Sequence, residues 1–349
     1  MSAAAAALLA LAGLAAAWAG TWQVRRYALR ANVLDIPGHR SSHTVPTPRG
    51  GGLAIVLVFL AGTALAGLAG WVPWRTAVAL AGGGAAIALV GWIDDHGGLA
   101  ARWRALAHFA AAGWAVFWLG GLPTLDLGTA TARVGLAGAA IAVLGIVWVT
   151  NLYNFMDGID GIAGGQALVA GVAGGALLWA DGRSGLAGLA WLLAAASAGF
   201  LAWNWSPAKI FMGDVGSGVL GFTFAALAVA SERAGSLPLM GWVLLLGVFV
   251  FDATVTLVRR VLRGESFHQA HRSHAYQRAT QAGWTHARTS GAVIAVALLL
   301  SLLAGVGWAR PALLLPAFVA GAAFLAVLYL AVERARPMYP SPQRRPSEG

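Results

Sequence analysis

The chain has 349 residues, a formal charge of +10 and no cysteine, yet only 10% of its residues are charged and 59% are hydrophobic. A soluble domain of this length needs far more charge to cover its surface. Disulfides and thiolate metal sites are excluded outright.

Uncharged runs of roughly 16 to 22 apolar residues, close to the length that spans a bilayer, recur along the chain. There are about eleven, at 3-22, 50-70, 76-93, 105-120, 134-150, 161-180, 186-203, 217-231, 237-252, 290-308 and 312-331, the fourth and eighth being among the shorter. The expected fold is all-α: a polytopic membrane protein of about 11 transmembrane helices, forming one domain over 1-333. The first run reads as a retained helix, because Arg25 and Arg26 follow its apolar core instead of preceding it as in a signal peptide. Residues 334-349, with Pro-Met-Tyr-Pro-Ser-Pro-Gln-Arg-Arg-Pro, read as a disordered basic tail.

Charge is shared unequally between alternate loops. One set holds Arg25, Arg26, Arg30, Arg40, Arg49, Arg102, Arg104, Lys209, Arg259, Arg260, Arg263, Arg272, Arg278 and Arg288; the other holds only Arg75, Arg133, Arg183, Arg233 and Arg310. Cytoplasmic loops concentrate lysine and arginine, so the first set is expected inside, the N-terminus periplasmic and the tail cytoplasmic. Such a distribution argues against a nucleic-acid partner. Trp22, Trp71, Trp74, Trp203, Trp205 and Trp308 near run ends read as interfacial anchors.

Five polar clusters share the inner side; eight of the 13 acidic residues lie in them or at their margins, and a ninth, Glu333, lies at the tail. An acid at the membrane boundary is costly unless it is paired, metal-bound or solvated. The first cluster runs Asp35-Ile-Pro-Gly-His-Arg40-Ser-Ser-His43 and on to Arg49-Gly-Gly-Gly. Its arginines and His43 suit a phosphate, and its glycines allow close backbone approach, although an ordinary basic loop would look similar. In the second, Gly91-Trp-Ile-Asp94-Asp95, adjacent carboxylates repel unless a cation or proton is near; a bridge to Arg102 or Arg104 is the plainer reading.

The third cluster places Asn151, Asn154, Asp157 and Asp160 at every third position, a polar stripe suited to a hard cation or a sugar phosphate. The fourth sets Asp214 between glycines at the start of an apolar run, where it can cap a helix or hold magnesium against a diphosphate. The fifth runs from Asp252 through His268, His271, Arg272 and His274 to Tyr276-Gln277-Arg278. With no cysteine, and no carboxylate among its histidines, it suits an anion better than zinc, with Arg272 as a phosphate fork.

Taken together, DIPGHRSSHTVPTPRGGG, GWIDD, NLYNFMDGIDGIAGG, PAKIFMGDVGSGVLG and FHQAHRSHAYQR resemble, in order, the motifs of the polyprenyl-phosphate N-acetylhexosamine-1-phosphate transferases of the MraY/WecA type. The resemblance covers residues 35 to about 283. It implies Mg²⁺-dependent transfer of a sugar 1-phosphate from a UDP-N-acetylsugar to undecaprenyl phosphate, with release of UMP, at the cytoplasmic face of a bacterial inner membrane. Manganese is the expected substitute, and a homodimer is left open.

On this similarity Asp214 matches the metal-binding aspartate, with Asn154 near the same metal. Asp94, Asp95 and Asp157 match the catalytic acids, while Arg40, His43, Asn151, Asp160, Arg272 and His274 are the expected substrate-binding residues. Where other branches have consecutive histidines after the position of His274, this chain has Tyr276 and Gln277. That pattern is similar to the WbpL-like branch, which starts O-antigen and related polysaccharides, and weighs against the peptidoglycan-precursor translocase.

The chemistry expected is an exchange between two anions, which metal and arginine make approachable. A base on Asp94 or Asp95 would add little, since a phosphate monoester with a second pKa near 6 is already mostly ionised. Positioning is the other role open to the pair. A proton-coupled carrier is the competing class, but the middles of the runs are nearly bare of ionisable groups. A non-catalytic lipid-binding scaffold would leave Asp94, Asp95, Asp157 and Asp214 unexplained.

Overall fold

The computed structural model describes residues 1-37, 45-266 and 271-339. Helices dominate. Ala3–Arg30 (α1), Leu53–Leu68 (α2), Trp74–Gly97 (α3), Ala101–Leu119 (α4), Gly135–Met156 (α5), Ile162–Ala180 (α6), Ser184–Asn204 (α7) and Asp214–Arg233 (α8) come first. Leu239–Leu245 (α9), Gly247–Leu262 (α10), Ala275–Gln281 (α11), His286–Ala309 (α12) and Leu314–Ala335 (α13) follow. Two short antiparallel pairs complete the described elements: Leu34–Asp35 (β1) with Thr47–Pro48 (β2), and Thr124–Asp126 (β3) with Thr131–Arg133 (β4).

Every expected apolar run falls on a helix, or on α9 and α10 together. Among the described residues, eight helices are long and apolar enough to cross a bilayer, and up to nine spans result if the α9–α10 pair, bent by 85°, is one. The chain is thus an all-α, multi-pass membrane protein. The difference from eleven has two sources. α2 has only 16 residues, and the apolar stretch of α4 is diluted by Arg102, Arg104 and His108 in its first turns.

α8 is the axis of the bundle. Every residue from Val215 to Glu232 is buried, a degree of enclosure that no other helix here matches. With lipid outside, close van der Waals packing rather than water exclusion holds such a helix. Gly91 of α3 shows how. A Cβ built there would lie 2.6 Å from backbone atoms of Asp214 and Val215, so only glycine lets α3 close so far on α8. That crossing sets the last turn of α3, with Asp94 and Asp95, beside the first turn of α8.

Glu232 fastens the other end of α8. Its carboxylate accepts the Asp126 and Leu239 backbone N–H groups, both at 2.6 Å, joining the β3–β4 hairpin to the start of α9. The acids of the second, third and fourth clusters lie at the opposite end, together, as alternate-loop parity leads one to expect.

Candidate active site

A cavity of about 280 Å³ opens where α3, α5 and α8 end or begin. Asp35, Asp95, Asp157, Asp160 and Asp214 line it, and Arg49 and His286 are its basic groups. Asn154, Asn204 and Gln277 add neutral polar side chains.

Asp95 is the anchor. The Arg49 guanidinium donates to its Oδ1 at 2.7 and 3.1 Å, and the Asp214 and Val215 backbone N–H groups donate to Oδ1 and Oδ2 at 3.0 and 3.2 Å. The carboxylate therefore caps α8 from a neighbouring helix, in place of the usual capping side chain of the same helix. Gly213 makes room for it: its φ is +78°, and a Cβ there would come within 2.5 Å of Asp95 Oδ2. Arg49 is itself placed by backbone pairing, with Gly51 and Gly52 donating to Phe211 and Met212 and Phe211 donating to Pro48. The Asp95 side chain is enclosed by these partners at the wall of the cavity.

Asp94 and Asp214 face each other across Arg104. Arg104 Nη1 lies 2.8 Å from Asp94 Oδ2 and 3.4 Å from Asp214 Oδ2, while the Leu99 N–H donates to Asp94 Oδ1. Two carboxylates thus share one guanidinium. Asn154 reaches the same place: its amide donates to Ser217 Oγ at 3.0 Å and also contacts the Asp214 carboxylate. Asn151 instead donates to Val147 and lines a small neighbouring cavity that also touches Arg104, Asn154 and Asp214.

Asp157 stands apart. Among the described residues no hydrogen bond or ion pair reaches its carboxylate, although it lines the cavity. Burial, and then the carboxylates of Asp214, Asp95 and Asp160, push its carboxyl well above the usual range. Asp160 has the opposite balance. Burial would raise it, but the His286 ring, at 3.3 Å from Oδ1, and the Ala208 N–H, at 3.1 Å from Oδ2, hold it below the usual range.

The remaining expectations divide. Arg40 and His43 lie outside the described residues, as do residues 340-349 of the tail. His274 is buried, 3.5 Å from Asp252, and caps the start of α11; it does not line the cavity. Arg272 likewise does not line it. What the fifth cluster contributes is Gln277, and Tyr276 beneath it. Sequence reasoning missed His286 and Asn204. His286 follows the capping Thr285 at the head of an apolar run, and its inner-side position was the available signal.

A family model described as glycosyl transferase family 4 matches residues 77–232, the stretch holding Asp94, Asp95, Asn154, Asp157 and Asp214. A decaprenyl-phosphate N-acetylglucosaminephosphotransferase of Mycobacterium tuberculosis is 30% identical over 325 residues, covering 80% of this chain and 78% of that protein. The chain belongs to the polyprenyl-phosphate hexosamine-1-phosphate transferases. An undecaprenyl-phosphate alpha-N-acetylglucosaminyl 1-phosphate transferase of Yersinia pestis is 27% identical over 318 residues, 84% of each chain. A Bacillus subtilis protein, named as a probable undecaprenyl-phosphate N-acetylglucosaminyl 1-phosphate transferase, is 29% identical over 267 residues, 75% of this chain and 74% of that one. In this glycosyl-1-phosphate transferase Asp95 takes four hydrogen bonds, Asp94 and Asp214 share Arg104, and Asp157 has no partner among the described residues.

Proposed function

We propose that this transferase moves an N-acetylhexosamine 1-phosphate from a UDP-sugar to undecaprenyl phosphate, releases UMP, and so begins an O-antigen or other cell-envelope polysaccharide. The cavity would face the cytoplasm of a bacterial inner membrane. One observation carries the reading: a polar cavity at a helix end where, among the described residues, Asp157 has no partner and the adjoining Asp94 and Asp214 share Arg104.

Such a donor set fits magnesium, with manganese as substitute. No trio of acidic or histidine side chains among the described residues forms a closed metal cage. Magnesium commonly takes one or two carboxylates, several waters and the substrate's phosphates, so an open set suffices. Asp214, with Asn154 or Asp157, would hold it, and when bound it supplies charge neutralisation between two mutually repelling phosphates.

The protein's own residues do the rest. Asp95 fixes the first turn of α8 and therefore the direction of Asp214. Arg104 keeps Asp94 and Asp214 in register without closing the cavity. Gln277, Asn204 and the Asp160–His286 pair line the wall available to a sugar or nucleotide. The names of the relatives favour N-acetylglucosamine, while Tyr276 and Gln277 keep a WbpL-like deoxy sugar within the panel to be tested. Gln166, which a carrier would need free, is buried and donates to the Leu245 carbonyl at 2.7 Å. The test is UMP release by purified protein with undecaprenyl phosphate, Mg²⁺ and a panel of UDP-N-acetylsugars. Release with at least one donor supports the proposal; folded protein that releases UMP with none overturns it.

A further inference from the structure

The loops opposite the catalytic cavity are poor in arginine, yet three of their five arginines converge. Arg75 comes from the start of α3, Arg183 from the α6–α7 connection and Arg233 from the end of α8, and all line one cavity of about 490 Å³. Arg183 donates to the Ala234 carbonyl and Arg233 to the Gly120 carbonyl at 2.7 Å, while Arg75 lies 5.7 Å from the Trp74 ring. Among the described residues no carboxylate lines the cavity. None of the three forms an ion pair among the described residues, and Glu232, the nearest acid in sequence, is engaged by two backbone N–H groups.

Each guanidinium carries five N–H donors in a planar fork, far more than one carbonyl uses. Three like charges around one concavity repel, and an anion between them removes the repulsion and takes the spare donors. The cavity's depth in the bilayer favours one kind of anion. α8 runs 20 residues from Asp214 to Arg233, about 30 Å at 1.5 Å per residue, which is the thickness of a hydrocarbon core. Trp71 and Trp118 line the same cavity, as aromatic side chains do at the headgroup level.

We propose that this cavity binds the phosphate of an anionic lipid headgroup on the membrane face opposite the active site. The proposal does not depend on the catalytic reading. Native mass spectrometry of the full-length protein in detergent tests it, titrating phosphatidylglycerol, phosphatidylcholine or inorganic phosphate. The wild type should retain one more phosphatidylglycerol per chain than the triple variant Arg75→Gln/Arg183→Gln/Arg233→Gln, with affinity falling roughly fivefold for each arginine removed. Lysine at the three positions should restore most of it. Arg25→Gln, at the other end of the bundle, should leave that lipid in place. Equal phosphatidylglycerol retention by wild type and triple variant overturns the proposal. So does equal retention of phosphatidylcholine, or a site filled by inorganic phosphate in preference to lipid. Should the triple variant not fold, the three single variants carry the same comparison.

Discussion

The Tyr276 hydroxyl donates to the Phe155 carbonyl at 3.0 Å, so α11 holds the turn that presents Asp157. Gly158 is the contact point. A Cβ there would lie 2.1 Å from Tyr276 Oη, closer than real atoms approach. Gly158→Ala is expected to cost at least tenfold in kcat, and adding Tyr276→Phe should recover part of the loss by removing the colliding oxygen. Non-additivity of that size is the signature of touching residues. Steady-state kinetics of the two single variants and the double variant checks it.

Asp95→Asn should damage stability as well as rate. The substitution removes the charge that four donors share, and hydrogen bonds to charged groups contribute about 1.5 to 3 kcal/mol each in context. Thermal unfolding in detergent should show a lower transition. The pH–rate profile of the residual activity should keep its wild-type shape, because a capping carboxylate takes no proton during turnover.

Asp157→Asn should do the reverse. A half-buried carboxylate with no partner among the described residues destabilises the fold, and an isosteric amide relieves that, by about 1 kcal/mol. In chelator the variant should therefore melt higher than wild type while being catalytically dead. Magnesium should then narrow the gap by stabilising the wild type more than the variant.

The sequence made the spans and the shared face of Asp94, Asp157 and Asp214 legible, because apolar length and loop parity are properties of the chain itself. It could not separate Asp94 from Asp95. Adjacent acids at a helix end look alike until the Gly91 crossing shows that one meets the N-terminus of α8 and the other Arg104. His274 poses a related problem: a polar residue in a motif reads the same whether it faces a cavity or, with Asp252, fixes the start of a short helix. His286 was missed because its partner Asp160 lies 126 positions away, across connections that no local pattern encodes.

Acid should release the Asp160–His286 contact. Asp160 titrates below its unfolded value of about 4, so its contribution to stability is present in full above that value and is lost as pH falls through the lower folded one. Thermal unfolding followed downward from pH 5 should show this loss in the wild type. In Asp160→Asn the same stretch should be flatter, from a lower starting stability.

Gln277 should tune the donor. It lines the cavity, and its Oε1 accepts the His274 N–H at 3.3 Å, which fixes the side chain from behind. Gln277→Ala is expected to change the ratio of kcat/KM values between UDP-N-acetylsugars by severalfold, more than it changes the lipid-phosphate KM. Competition between two donors in one reaction reads that ratio directly.

Binding of a UDP-N-acetylsugar, measured calorimetrically on the purified protein with and without Mg²⁺, goes straight to the proposed role of the cavity acids. The account predicts binding that requires the divalent ion and is lost in Asp214→Asn. Equal affinity in chelator, or wild-type affinity in that variant, would contradict it.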